Sequence, residues 1–180
     1  VLRDYVSPDI HIETTKFGLR LITTRNLNKR DIHVRVTNMV FPNLIVIPMT
    51  NDMCIFQWHI PIDDTHSWWY AIFTDFKNQV DKNAMREQRL DLYSLPDYKP
   101  KINKATNYGY DPEEQRTKTF TGMGMDINVH DQWAVESPGP IYDRTQEHLG
   151  SADKGITAFR KSLINSINSF IHSLTHSFIH

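Results

Sequence analysis

Asp131 is the carboxylate whose neighbours ask most of it. In the run INVHDQWAVESPGPIYDRTQEHLG it is flanked by Val129, Trp133 and Val135, which predicts that this segment faces inward. A carboxylate beside an apolar face needs a hydrogen-bond donor or a metal ion to hold its charge. Glu136, Asp143 and Glu147 follow on or beside expected helices and read as solvated. The nine histidines are the other pool of ligands. His172, His176 and His180 are spaced i, i+4, i+8, so a helix stacks them on one face, where adjacent pairs could chelate zinc or nickel. No carboxylate stands near to orient them and the segment is biased, so the spacing reads as composition rather than as a site. His11, His33, His59 and His66 scatter over expected strands and read as pocket or turn residues. A single cysteine, Cys54, excludes an intrachain disulfide, a cysteine zinc site and a cluster held by this chain's thiolates. No Ser-His-Asp order can be defended, and Gly122-Met123-Gly124 lacks the third glycine of a dinucleotide fingerprint, so it reads as a turn.

The elements that must position such groups are strands first and helices afterwards. His11–Thr15 and Gly18–Thr24 alternate around a short turn and predict a hairpin. In Ile32–Phe41 the period of two sends Ile32, Val34 and Val36 to one side and His33, Arg35 and Thr37 to the other, one face on a core and one in a wetter place. Leu44–Ile47, CIFQWHI and SWWYAIFTDF complete five or six strands joined by turns at Thr50–Met53 and Asp63–Thr65, a largely antiparallel meander. Alternation sends Trp68 and Tyr70 to one face and Trp69 and Phe73 to the other, so part of this aromatic group lines the space between sheet and helices. Trp58, Trp68 and Tyr70 are the candidate pocket residues.

Residues 77–118 read as a polar insertion, with a helical stretch at Asn78–Arg89 and irregular chain around Pro96, Pro100 and Asp111-Pro112. A short helix capped at Asn128 is expected to run to about Glu136, with another helical piece at Ile141–Leu149. A last helix is expected from Ser151, with the apolar face Ile156, Phe159, Leu163, Ile167, Phe170, Leu174, Phe178. Residues 165–180 form a low-complexity tail, read as either an extension of this helix or, by preference, a segment foreign to the domain proper at residues 1–164. The fold class is α+β, an antiparallel sheet packed against C-terminal helices.

Twenty basic against 21 acidic residues give a net charge of −1, which leaves no electrostatic footprint for nucleic acid. With 39% hydrophobic and 11% aromatic residues the chain can build a core, and no apolar run reaches the ~20 residues of a membrane span. The chain opens on Val1 rather than Met and is read as a fragment.

Two separated runs carry a family resemblance. HDQWAVESPGPIYDRTQEHLGSAD, together with VRVTNMVFPN and QWHIPIDDTHSWWY upstream, resembles the C-terminal part of the catalytic domain in large (α) subunits of Rieske non-heme iron aromatic-ring oxygenases, in the phthalate, phenoxybenzoate and dehydrodivanillate-demethylating branch. The similarity covers about residues 8–164. The resemblance implies a helix-grip (Bet v 1-like) fold and makes Asp131 the carboxylate of a 2-His-1-carboxylate Fe(II) site, with His130, Gln132 and Trp133 around it; relatives usually have Gln where His130 stands. It implies a cytoplasmic oxygenase that hydroxylates or O-demethylates a small, carboxylated aromatic substrate with O2. Its partners would be an electron-donating reductase and further copies of the whole subunit, with neither nucleic acid nor membrane among them. The family's Asp-x-x-His-x4-His pair and its Cys-x-His and Cys-x-x-His cluster motifs are absent from this sequence, so both iron histidines and the 2Fe–2S cluster are expected upstream of residue 1, and this chain alone is expected neither to hold iron tightly nor to turn over. The rival reading is a metal-free helix-grip module that binds an apolar or aromatic ligand, indifferent to loss of Asp131.

Overall fold

Short alternating segments separated by Asp-, Asn- and Pro-rich turns can pair only with their neighbours, and they do. The computed structural model describes residues 1–178, with side chains through residue 173. Six strands, β1 (Asp9–Thr15), β2 (Gly18–Asn26), β3 (Ile32–Val40), β4 (Leu44–Pro48), β5 (Met53–Pro61) and β6 (Ser67–Asp75), form one antiparallel sheet in sequence order. They are followed by α1 (Lys82–Leu92), the two-residue strands β7 (Tyr93–Ser94) and β8 (Lys99–Pro100), α2 (Pro112–Thr117), α3 (Ile127–Glu136) and α4 (Lys154–Phe178). This is the α+β, helix-grip-like arrangement; the sheet does not close into a barrel.

The chain divides into two compact units, one made of Val1–Asn78 with the residues from His148 onward, the other of Gln79–Glu147. The second therefore takes in α3 as well as most of the polar stretch.

In the first unit, register fixes the faces. Leu19 lies opposite Met39, Met39 opposite Ile45, and Ile55 opposite Phe73, so these side chains share one side of the sheet. α4 packs on that side. A Cβ on its Gly155 would lie 2.5 Å from Leu21 Cδ2, so the missing side chain is what lets the helix seat on β2. Leu19, Met39 and Ile55 are the buried apolar residues here. The faces of β3 are inverted from the simplest reading of its pattern. Ile32 and Val34 are exposed, whereas His33, Arg35 and Thr37 are half-buried on the side that α4 takes.

α4 begins after a single 3-10 turn at Ser151–Asp153 and runs without a break through the low-complexity stretch as far as Phe178. Its apolar stripe is half-covered at Phe159 and Leu163, but Ile167 and Phe170 are exposed, so the stripe extends beyond what it packs on among the described residues. Leu174, Phe178, His176 and His180 lie outside the residues whose side chains are described.

In the second unit, Tyr108, Met123 and Val129 form a small buried cluster, with Ile102 packed against it. α2 was not foreseen: Asp111-Pro112 begins a helix rather than marking irregular chain, with Pro112 at the first position and Asp111 Oδ1 accepting from Glu113 N at 2.8 Å. The expected helix at Ile141–Leu149 is reduced to a single 3-10 turn, Arg144–Gln146. Pro140 and the Asp143 cap leave only three residues before the chain returns to extended backbone at Glu147. No helix of the described residues is long and apolar enough to cross a membrane.

Candidate functional site

α3 carries Asp131, and its placement follows from what caps and clamps the helix. Asp126, rather than Asn128, is the N-cap, accepting from Asn128 N at 2.8 Å and lying 3.8 Å from the Arg89 guanidinium of α1. His130 Nε2 stands 3.1 Å from both Gly124 O and Thr121 Oγ1. A carbonyl can only accept, so Nε2 carries the proton and donates to the Gly122–Gly124 turn. That turn is held in place by Gly122, whose φ of +69° and 2.6 Å approach of a would-be Cβ to Asp111 O admit no side chain. At the other end of α3, Glu136 accepts from the Tyr108 hydroxyl at 2.7 Å and from Gln132 Nε2 at 3.0 Å.

Tyr108 is the support that sequence reasoning missed. It is buried, and both it and Asn107 hold left-handed backbone, with φ of +54° and +51°. Burial first, and then the Glu136 carboxylate, push its phenol up to about 12. The signal available in the sequence was Asn107-Tyr108-Gly109, a turn that places an aromatic ring where only a packed neighbour would retain it. Tyr108→Phe keeps the ring and removes the hydroxyl, so its expected cost is about 1 kcal/mol, read as a lowered denaturant midpoint with an unchanged slope. No loss at all would show that the bond to Glu136 contributes nothing.

The inward-facing expectation for this helix is corrected. Val129 is buried at 6% exposure, but Trp133 is 47% and Val135 76% exposed, and Asp131 is exposed with them. A ten-residue helix clamped at both ends turns one stripe to the small cluster, and Asp131, two positions after Val129, lies off it. Gln132 lines a pocket of about 10 Å³ with Leu92, Tyr93, Pro100, Ile102, Asn128 and Val129, room for about one water.

The candidate pocket residues belong to the first unit. Trp58 pairs with Tyr70 and Ile60 with Trp68, so Trp58, Trp68 and Tyr70 do share a face, with Phe56–Trp58 ring centroids 6.4 Å apart and Trp68–Tyr70 6.2 Å apart. Register puts that face on the side turned away from α4. Trp69 and Phe73 are the aromatics on the α4 side, and Trp69 Nε1 is buried with no hydrogen-bond partner among the described residues.

The two motif segments turn out to share one device. In Asp63-Asp64-Thr65-His66, at the β5–β6 turn, Asp63 Oδ1 accepts from Thr65 N at 2.7 Å and Thr65 Oγ1 at 3.0 Å. In Asp143-Arg144-Thr145, Asp143 Oδ1 accepts from Thr145 N at 2.9 Å and Thr145 Oγ1 at 2.7 Å. Each is an aspartate folding the chain back on a threonine two residues on. The Thr65 backbone N–H, then the His66 side chain and the Thr65 hydroxyl, hold the Asp63 carboxyl at about 2. Its folded value is depressed, so its contribution to stability is present above the unfolded value of about 3.9 and is lost as pH falls from there through 2. The Thr65 and His66 amide signals should titrate with a midpoint near 2; a midpoint near 4 would mean that the turn does not hold the carboxylate.

A ferrous site of the kind the resemblance implies needs three ligands on one face. Among the described residues no group of three or more His, Cys, Asp or Glu is placed to hold a metal ion. The described residues offer Asp131 as one candidate ligand and do not complete the set.

The family described as LigXa C-terminal domain like matches residues 4–176, nearly the whole chain. The chain belongs to that family. It is also similar to the phthalate 4,5-dioxygenase oxygenase subunit of Pseudomonas putida, 27% identical over 172 residues, which cover 91% of this chain and 39% of that relative. The resemblance to the C-terminal part of Rieske oxygenase large subunits, drawn from the HDQW and DRTQEHLG runs, is thereby shown. The chain spans about two fifths of the relative's length.

Proposed function

We propose that this LigXa C-terminal domain-like chain is part of the catalytic domain of an aromatic-ring oxygenase of Rieske type. The whole protein would hydroxylate or O-demethylate a small, carboxylated aromatic substrate with O2, drawing electrons from a separate reductase. In this reading residues 1–164 contribute the sheet and α3, and Asp131 gives the carboxylate ligand to a mononuclear Fe(II) centre. The two histidine ligands and the 2Fe–2S cluster belong to parts of the protein outside this chain, and full-length copies assemble with one another in the cytoplasm. The family match over residues 4–176, with Asp131 inside the HDQW run, is the observation that carries the reading. What this chain's residues do is hold the carboxylate at a fixed place: a helix anchored at both ends orients a ligand better than a loop does. The His130 bond to the turn and the Tyr108–Glu136 bond are the anchors.

The test is made on a protein of the relative's full length, supplied with a reductase and 18O2 and offered benzoates, phthalates and methoxybenzoates in turn. Label in a hydroxylated or demethylated product is the expected result. Tight binding of an aromatic acid with no label in any product, by protein that takes up no iron when Fe(II) is supplied, would favour the metal-free binding module instead.

A further inference from the structure

β6 ends the sheet, and nothing in its sequence guards that edge. Edge strands of soluble proteins are normally kept from pairing with other segments by charged side chains, proline or a bulge. β1, at the opposite edge, follows that rule: Asp9 and Glu13 stand along it, and Glu13 pairs with Arg20 at 3.0 Å. β6 has none of these devices. SWWYAIFTD carries no Lys, Arg, Glu or Pro, and its single charge, Asp75, is its last residue. All nine residues pair one for one with β5, from Pro61 opposite Ser67 to Met53 opposite Asp75, so no bulge twists the edge away. No further strand lies beyond it among the described residues.

The backbone along that edge has a fixed pattern. Ile62 N donates to His66 O at 2.9 Å just before the strand, and Phe76 N donates to Asp52 O at 2.8 Å just after it. An antiparallel ladder alternates, so the even-numbered residues of β6 turn N–H and C=O to β5. The odd-numbered ones, with Trp69 and Ala71 at the centre, turn theirs to the open side. Trp68, Tyr70, Ala71 and Ile72 are all exposed beside them. A long, uncharged strand of this kind is a template for an extended apolar segment. We propose that a segment of the same subunit, from the part outside this chain, adds to β6 as a further strand of the sheet. This rests on reading the chain as part of a longer subunit. The chain spans about two fifths of the Pseudomonas relative, which leaves ample polypeptide to supply such a segment. A segment of the same polypeptide holds an effective concentration of up to about mM however dilute the protein, whereas a second copy would leave the edge bare on dilution. The edge also sets what fits: an extended stretch that carries no charge where it crosses Tyr70 and Ile72, with backbone carbonyls to accept from Trp69 and Ala71.

Amide hydrogen exchange tests it, on the chain alone and on a protein of the relative's full length. Tyr70 and Ile72, bonded to β5 in both, are the internal controls and should be slow in both. Measured against them, the Trp69 and Ala71 amides are expected to exchange ~100-fold or more slowly in the long protein and to stay fast in the chain alone. The second readout is Ala71→Pro. Its N–H points away from β5, so in the chain alone the substitution removes no ladder bond and the melting midpoint should hardly move. In the long protein it should lower the midpoint by ~3 °C or more, because it takes a donor from the added strand. Trp69 and Ala71 exchanging equally fast in both proteins would overturn the proposal. Protection in the chain alone that grows with protein concentration would give the edge to a second copy and overturn it as well. Neither measurement needs iron. A protected edge in a long protein that takes up no Fe(II) and oxidises no aromatic acid would sink the oxygenase reading alone, and iron-dependent turnover with a freely exchanging edge would sink this proposal alone.

Discussion

Asp131→Ala, made in a protein of the relative's full length, is expected to remove the iron and the turnover while leaving the fold intact. A site of two imidazoles and one carboxylate leaves coordination positions open, so each protein ligand carries a large share of the affinity. Loss of an outer partner that merely orients a ligand costs roughly 10–100-fold in affinity or activity, and loss of the ligand itself should cost more. Stability should hardly move, because the side chain is exposed and exposed substitutions away from caps and cores change stability by about 0.5 kcal/mol or less. The measurement is therefore iron content beside a melting curve. Stoichiometric iron depleted in the variant at an unchanged midpoint is the expected pair. Iron retained after the substitution would mean that Asp131 is not a ligand, whatever its place in the HDQW run. Asp131→Asn sharpens the experiment, since it keeps the shape and one acceptor oxygen while removing the charge.

Gly18→Ala should be the most damaging single methyl that the first unit can receive. Gly18 opens β2 with φ of +144°, and a Cβ there would lie 2.1 Å from Met39 O and 3.1 Å from Phe41 N. Neither is the end of a flexible side chain; both belong to the backbone around the β3 terminus, which β2 pairs through Gly18 and Val40. Relief requires the two strands to separate where Leu19 and Met39 make the buried core. A cost of about 3 kcal/mol or more is expected, from backbone strain and overpacking together. Gly139→Ala is the control, for it also has positive φ, at +98°, but a Cβ there meets nothing within 4 Å. Equal costs at the two positions would show that close approach plays no part at Gly18.

The sheet was legible because alternation and turn chemistry are local. Each of the six strands was placed to within a few residues by a period of two and by punctuation such as Pro42, Pro48 and Asp63-Asp64. The α3 boundary was legible for the same reason, although the cap proved to be Asp126, one of two suitable residues within three positions. What the pattern could not give was which face lies where. In β3 the apolar residues Ile32 and Val34 are exposed and the basic ones are half-buried, because neighbouring strands and α4, not β3 itself, decide the covered side. The same limit holds for the pocket candidates: alternation puts Trp58, Trp68 and Tyr70 on one face, as the register has them, but says nothing of which face α4 takes, and α4 sits on the other. Asp131 illustrates the reverse case. Its apolar neighbours in sequence suggested burial, but on a helix residues two apart do not face the same way. Tyr108 was invisible for a further reason: its partner Glu136 is on another element, and no spacing rule connects them.

A meander in which every strand pairs with its sequence neighbour has a consequence for how the molecule comes into being. Each hairpin closes a short loop, so the sheet can assemble progressively as the chain emerges, with little entropy lost at any step. α4, which packs on β2, is synthesised after all six strands and after the second unit. Until then the side of the sheet holding Leu19, Met39 and Ile55 lacks the helix that covers it. The vulnerable interval in biogenesis is thus set by the translation time of the stretch between β6 and α4, and the second unit, which occupies that stretch, doubles as a delay.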